Sequence, residues 1–292
     1  MRAALAGVLV AAGLAGISSP AAAATCDTKM IFEVGGHLDP DANVYDRTNA
    51  TLPPGVGFTK IHYSASIAPY PGDPVALDDS VAEGIATLDR AVRAFHAACP
   101  GSRITISGYS QGAIVAGDVL HALSGSGDIP DDLINGVLYG DPRRTGVNGG
   151  PGGIATNLPT VVPGITMKGP RGFGGLRVKE ICNQNDGICH SENPITNLLG
   201  FANGVAGYFL GDHAYDIDPD AVTGSGDVVI AQPPRVPYGP PLPLPIPTPY
   251  ELFNGDHRRA TDAVAGYRAA IGPVLPPAVR DRLHEFPWLP VS

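Results

Sequence analysis

Ser110 stands in the pentapeptide Gly108-Tyr109-Ser110-Gln111-Gly112. Before it runs RITIS (103–107), an apolar stretch of strand length. After it runs AIVAGDVLHAL (113–123), which has the composition of a buried helix. A serine on a tight strand-to-helix turn is the sequence form of a nucleophile elbow. The glycines two before and two after it leave room for the strained backbone. Such a turn lifts the hydroxyl to the C-terminal edge of a sheet. It also aims the backbone N–H of Gln111 at the place where an oxyanion forms, beside the positive end of a helix. The pentapeptide alone is a weak signal, and its strand and helix flanks make it a strong one.

A serine nucleophile needs a base, and the base needs an orienting acid. The histidines after Ser110 are His121, His190, His213, His257 and His284. His121 lies on the helix that follows the elbow and is expected to point away. His213, in GDHAYD, follows an apolar helix and sits in a loop; His190, beside Cys189, is the other exposed candidate. For the acid, Asp186 lies inside CNQNDGIC (182–189), between two cysteines. An aspartate before glycine is also an ordinary turn signal. Asp141 in YGDPRR is a rival, and Asp212 and Asp216 stand too close to His213 in sequence to be first choices.

The elements that must position these groups follow from hydrophobic periodicity. KMIFEV (29–34), GFTKIHYSA (57–65), RITIS (103–107), INGVLYG (134–140) and LRVKEIC (176–182) read as strands. Val81, Ile85, Leu88, Val92 and Phe95 recur at helical spacing behind Ser80, a cap candidate. NPITNLLGFANGVAGYF (193–209) reads as a further helix. Alternating strands and helices predict an α/β fold, a mostly parallel sheet with helices on both faces.

The chain has 292 residues, 43% of them apolar, a formal charge of −9, and 38 glycines and 30 prolines. That is one full core with long loops. Arg2, the apolar run 3–17 and the small residues before Ala24 predict a secretory signal peptide over residues 1–24, too short for a comfortable membrane span. The acidic balance argues against nucleic acid and against anionic lipid surfaces as partners. Four cysteines in an exported chain predict two disulfides. Of three possible pairings, the closeness of Cys182 and Cys189 favours that bond and leaves Cys26 with Cys99. Neither pair has the CxxC spacing of a zinc site, and no metal or other cofactor is expected. TGVNGGPGG (145–153) lacks the spacing of a phosphate cradle. Before it, Arg143 and Arg144 read more readily as solvated loop arginines than as contacts to an anionic or sugar-bearing substrate. The nine prolines of residues 233–250 exclude a central strand or helix and predict a linker or strap at 231–250. Residues 257–271 and 276–286 read as short helices of a 251–292 extension.

The strand–GYSQG–helix unit, the aspartate framed by nearby cysteines and the later His in an HAY context together resemble the cutinase-like serine esterases, from about Cys26 to Asp216. GYSQGAIVAGDVL and YGDPRR are similar to the PE-PPE-type hydrolase domains of actinobacteria, and GYSQGA also resembles phage mycolyl-esterase lysins. The resemblance implies an α/β-hydrolase over residues 25–230 without a large cap domain. It implies Ser110 as nucleophile, His213 as base and Asp186 as acid, with oxyanion donors at Gln111 and at Gly36 or His37. Cutinases often carry a hydroxyl residue in that first loop, where EVGGH has glycine. The implied activity is that of a secreted or envelope-associated esterase on fatty or mycolic acyl esters. Two alternatives stand beside it. One is an acyltransferase between envelope glycolipids with the same triad. The other, weighed against by the survival of all three residue types in order, is a non-catalytic envelope-binding protein.

Overall fold

Among the described residues, six short strands form one all-parallel sheet: β1 (Lys29–Val34), β2 (Val56–Lys60), β3 (Arg103–Tyr109), β4 (Ile134–Tyr139), β5 (Arg177–Asn183) and β6 (Gly226–Ile230). Their order is β2-β1-β3-β4-β5-β6. The α-helices among the described residues are α1 (Asp46–Asn49), α2 (Leu77–Ala98), α3 (Gln111–Leu123), α4 (Leu198–Phe209) and α5 (Pro249–Phe253). This computed structural model describes residues 26–254 apart from 148–149 and 244–245. The expected signal segment 1–24 and the helices expected at 257–271 and 276–286 lie outside the described residues.

Alternation along the central strands assigns side chains to two layers. Ile104 and Ile106 of β3, with Ile134 and Leu138 of β4, pack under α2 and α3. Val137 and Tyr139 of β4 face the opposite side, where Ala42, Tyr45 and Ile217 cover them. Burying each such aliphatic side chain stabilises the fold by about 1.5–3 kcal/mol, so β3 and β4 are the anchor for everything at their C-terminal ends. Val34 pairs with Gly108 across β1 and β3, which brings Gly35-Gly36 beside the elbow.

Several sequence expectations shift. The chain leaves the ladder at Lys60, although Ile61 and Tyr63 stay buried. Ser80 is not a cap: α2 begins at Leu77, with Asp78 and Asp79 in its first turn, where acids suit the helix dipole. Ser80 is buried inside that helix and its Oγ accepts from the Gln111 side chain at 3.0 Å. The helix expected from residue 193 starts at Leu198, because Asn197 caps it by accepting from Gly200 N at 2.9 Å. The edge strand β6 was not anticipated; its five residues follow a Gly/Ser-rich loop and carry too short an apolar run to stand out.

The proline-rich segment lies along the body as a strap. Leu242 N donates to Thr196 O at 3.1 Å, and Asn185 and Asn193 side chains donate to the carbonyls of Pro233 (2.8 Å) and Ile246 (3.1 Å). Proline offers no N–H, so several of the strap's bonds come from body side chains reaching its carbonyls.

Candidate active site

Ser110 connects β3 to α3 with φ 57° and ψ −121°, a backbone state that costs of order 1–3 kcal/mol for a residue with a side chain. Packing imposes it. A Cβ on Gly108 would overlap Gly112 O and Ala113 Cα, and one on Gly112 would overlap the carbonyls of Val34 and Gly35. The two glycines therefore let the turn press against β1 and α3, and they force the serine outward.

Ser110 Oγ donates to His213 Nε2 at 2.8 Å, and His213 Nδ1 donates to Asp186 Oδ2 at 2.7 Å. The three groups come from the end of β3, the loop after β5 and the loop after α4. Asp186 is fully buried and His213 is 8% exposed. Ile188 N donates to Asp186 Oδ1 at 3.0 Å, and the Cys182–Cys189 disulfide closes the loop that carries the carboxylate. Cys26 and Cys99 form the second disulfide. A hydroxyl bonded to an imidazole that is itself backed by a buried carboxylate is an arrangement that can activate a serine for attack.

The Gln111 side chain is anchored away from the site, donating to Ser66 O at 3.1 Å as well as to Ser80. Its backbone N–H opens α3. Gly36 lies against Ser110: a Cβ there would come within 3.1 Å of Ser110 Cβ. The next residue, His37, donates from Nε2 to Asp73 at 2.6 Å and stands edge-on to Tyr70. Beyond Ser110 opens a cavity of about 270 Å³ whose apolar walls include Leu77, Val81, Ile114, Ile154, Ile165 and Met167.

The rival residues lie elsewhere. Asp141 is bound to Arg171 at 2.7 Å and to Arg143 N at 3.0 Å. His121 Nδ1 donates to Gly172 O. Burial, with the Arg144 charge adding to it, pushes the His190 imidazole down to about 4, so it is neutral at pH 7. Asp212 pairs with Arg235 and Asp216 with Arg47. The arginines read as solvated are not. Arg143 borders the cavity and pairs with Asp118 at 2.5 Å. Arg144 is 1% exposed, pairs with Asp227 at 2.7 Å, and donates to Pro151 O and Cys189 O. Those inward carbonyls and Asp227 need a donor, and one guanidinium supplies it.

Two tyrosines were missed. Tyr109 stacks on the His213 ring, centroids 5.1 Å apart, and donates to His213 O at 2.8 Å. Tyr215 donates to Asp186 Oδ2 at 2.6 Å. Both adjoin residues already singled out, one before Ser110 and one two after His213, and that adjacency was the available signal.

A family model described as Cutinase matches residues 29–206. The chain is similar to the carboxylesterase Culp6 homolog of Corynebacterium glutamicum, 38% identical over 172 residues, covering 52% of this chain and 55% of that protein. It is also similar to the uncharacterized PPE family protein PPE28 of Mycobacterium tuberculosis, at 29% identity over 51% of this chain and 22% of that protein. Acetylxylan esterase 2 of Talaromyces purpureogenus is 25% identical over 56% of this chain and 81% of its own length. The chain thus spans little more than half of the first relative and under a quarter of the second.

Proposed function

The chain belongs to the cutinase family, and from that premise we propose that it is an exported serine esterase cleaving carboxylic esters of fatty or mycolic acyl chains through an acyl-enzyme on Ser110. The observation that carries this reading is the unbroken run of hydrogen bonds Ser110–His213–Asp186, at 2.8 and 2.7 Å. Ser110 Oγ attacks the ester carbonyl carbon while His213 Nε2 takes the hydroxyl proton. The carbonyl oxygen becomes an oxyanion facing the N–H of Gln111 and the Gly36–His37 backbone. The intermediate collapses, the C–O bond to the alcohol breaks, and His213 returns the proton to the leaving alkoxide. Water then repeats the sequence on the acyl-enzyme, giving the free acid and restoring Ser110.

The apolar cavity that opens from Ser110 supports an aliphatic acyl group. The pair of disulfides and the leader-like residues 1–24 support export into an oxidising compartment. No helix among the described residues is long and apolar enough to cross a membrane.

The test is labelling of the purified mature protein with a fluorophosphonate, wild type beside Ser110→Ala, followed by an ester panel with product analysis. Labelling lost in the variant and release of free acid support the reading. A folded wild type that takes no label overturns it. Transfer of the acyl group to an added sugar in place of water would move the reading to acyltransferase.

A further inference from the structure

Asp186 Oδ2 accepts two hydrogen bonds, from His213 Nδ1 at 2.7 Å and from the Tyr215 hydroxyl at 2.6 Å. Tyr215 is itself polarised, since its oxygen accepts from Asn183 N at 3.0 Å. The chain of donors therefore runs from the last residue of β5, through Tyr215, to the same carboxylate oxygen that orients His213. Burial, with the Asp186 charge second, pushes the Tyr215 phenol far up and keeps it protonated, so it donates throughout the working range.

We propose that Tyr215 is a positioning residue that draws charge from Asp186 Oδ2 and so weakens the grip of that carboxylate on protonated His213. The proposal rests on the reading of Ser110, His213 and Asp186 given above. A second donor on one carboxylate oxygen shares its negative charge. Imidazolium, which forms when His213 takes the serine proton, is held by what charge remains. Tyr215 thus leaves His213 ready to return its proton to the leaving alcohol.

The titratable groups packed round the pair do not compete for this role. Tyr109, Tyr139 and Tyr208 all have their phenols pushed up, chiefly by burial, and stay neutral. His190 is neutral above about pH 4. Arg144 with Asp227, and Asp212 with Arg235, are closed ion pairs. Among these titratable side chains, Tyr215 is the one that donates to the Asp186 oxygen holding His213.

The test is the pH profile of kcat/KM on a p-nitrophenyl acyl ester for wild type and Tyr215→Phe. The expected result is an acid limb moved upward by about half to one pH unit, equivalent to about a three- to tenfold loss below the limb, with a smaller loss on the alkaline plateau. An equal loss at every pH, or an acid limb unmoved or moved downward, overturns the proposal and leaves Tyr215 as packing alone. Should Tyr215→Phe fail to fold, 3-fluorotyrosine at position 215 makes a stronger donor, and the limb then moves downward; no movement overturns the proposal. The wild type separates this inference from the one beneath it. If Ser110 takes no fluorophosphonate, the triad reading fails. If Ser110 reacts and the limb is indifferent to residue 215, only the role of Tyr215 fails.

Discussion

Arg144 Nη1 donates to the carbonyl of Cys189 at 2.7 Å, so a side chain from the loop after β4 holds the residue that closes the Asp186 loop. The same guanidinium donates to Pro151 O at 3.0 Å and pairs with Asp227 at 2.7 Å. Three separate segments meet on one buried cation.

Replacing Arg144 by Met leaves Asp227 without its partner and two inward carbonyls without a donor. Breaking a buried pair by removing one partner costs about 3–5 kcal/mol. The expected outcome is a urea midpoint lowered accordingly. Arg144→Lys should recover only part of it, because one ammonium lacks the planar fork that reaches all three acceptors. A midpoint within error of wild type would remove Arg144 from this role.

The two disulfides should separate stability from activity. By loop-closure entropy, Cys26–Cys99, which links residues 73 apart, is worth about 4 kcal/mol and the short Cys182–Cys189 loop about 2.5 kcal/mol. Cys26→Ala with Cys99→Ala should lower Tm most and leave kcat near wild type, since neither residue touches the site. Cys182→Ala with Cys189→Ala should lower kcat more than tenfold for a smaller change in Tm, because Asp186 then loses its enclosure. Thermal melts and kcat on one ester check both, and a reversed pattern would show that the Asp186 loop holds its shape without the bond.

Ser110 was legible because its turn is a local event: two glycines, a strand before and a helix after all lie between residues 103 and 123. His213 and Asp186 were legible by residue type and setting, while their meeting depends on β5 and α4 ending at the same edge of the sheet. Arg144 was misread for the same physical reason. Its burial is decided by Asp227 and Cys189, 83 and 45 positions away, and no local pattern distinguishes a buried arginine from a solvated one. Tyr215 is similar, since its partner Asp186 lies 29 positions earlier. Ser80 shows the reverse error. Its type suits a helix cap, yet tertiary packing uses its hydroxyl as a buried acceptor for Gln111 and Ser66.

Ile114 stands four residues beyond Ser110 on α3 and lines the apolar cavity. Ile114→Trp should fill the space that an extended acyl chain needs. A methylene in a hydrophobic pocket is worth about 1–3 kcal/mol in selectivity, so loss of contact for several of them predicts at least a tenfold fall in kcat/KM on a decanoyl ester. Turnover of the acetyl ester should change little. Comparing p-nitrophenyl acetate, butyrate and decanoate checks it. An equal fall on all three would place the acyl chain outside this cavity.

Glu33 ties the fold, independently of the site, to pH. Its side chain is fully buried on β1, and Asn49 Nδ2 donates to one of its oxygens at 2.8 Å. Burial pushes its carboxyl up from 4.5 to about 7, against the lowering effect of Asn49 and Lys60. Between those two values the folded chain holds a proton that the unfolded chain has released. Stability from this group is therefore complete below about pH 4.5 and is lost as pH rises through about 7, a swing of about 3 kcal/mol. Glu33→Gln removes the charge while keeping the shape and the acceptor for Asn49. Urea unfolding from pH 4.5 to 8 should find the variant level with wild type at the acid end and more stable by up to about 3 kcal/mol at pH 8. Parallel curves across that window would mean that Glu33 is already ionised in the folded protein, with Lys60 and Asn49 outweighing the cost of burial.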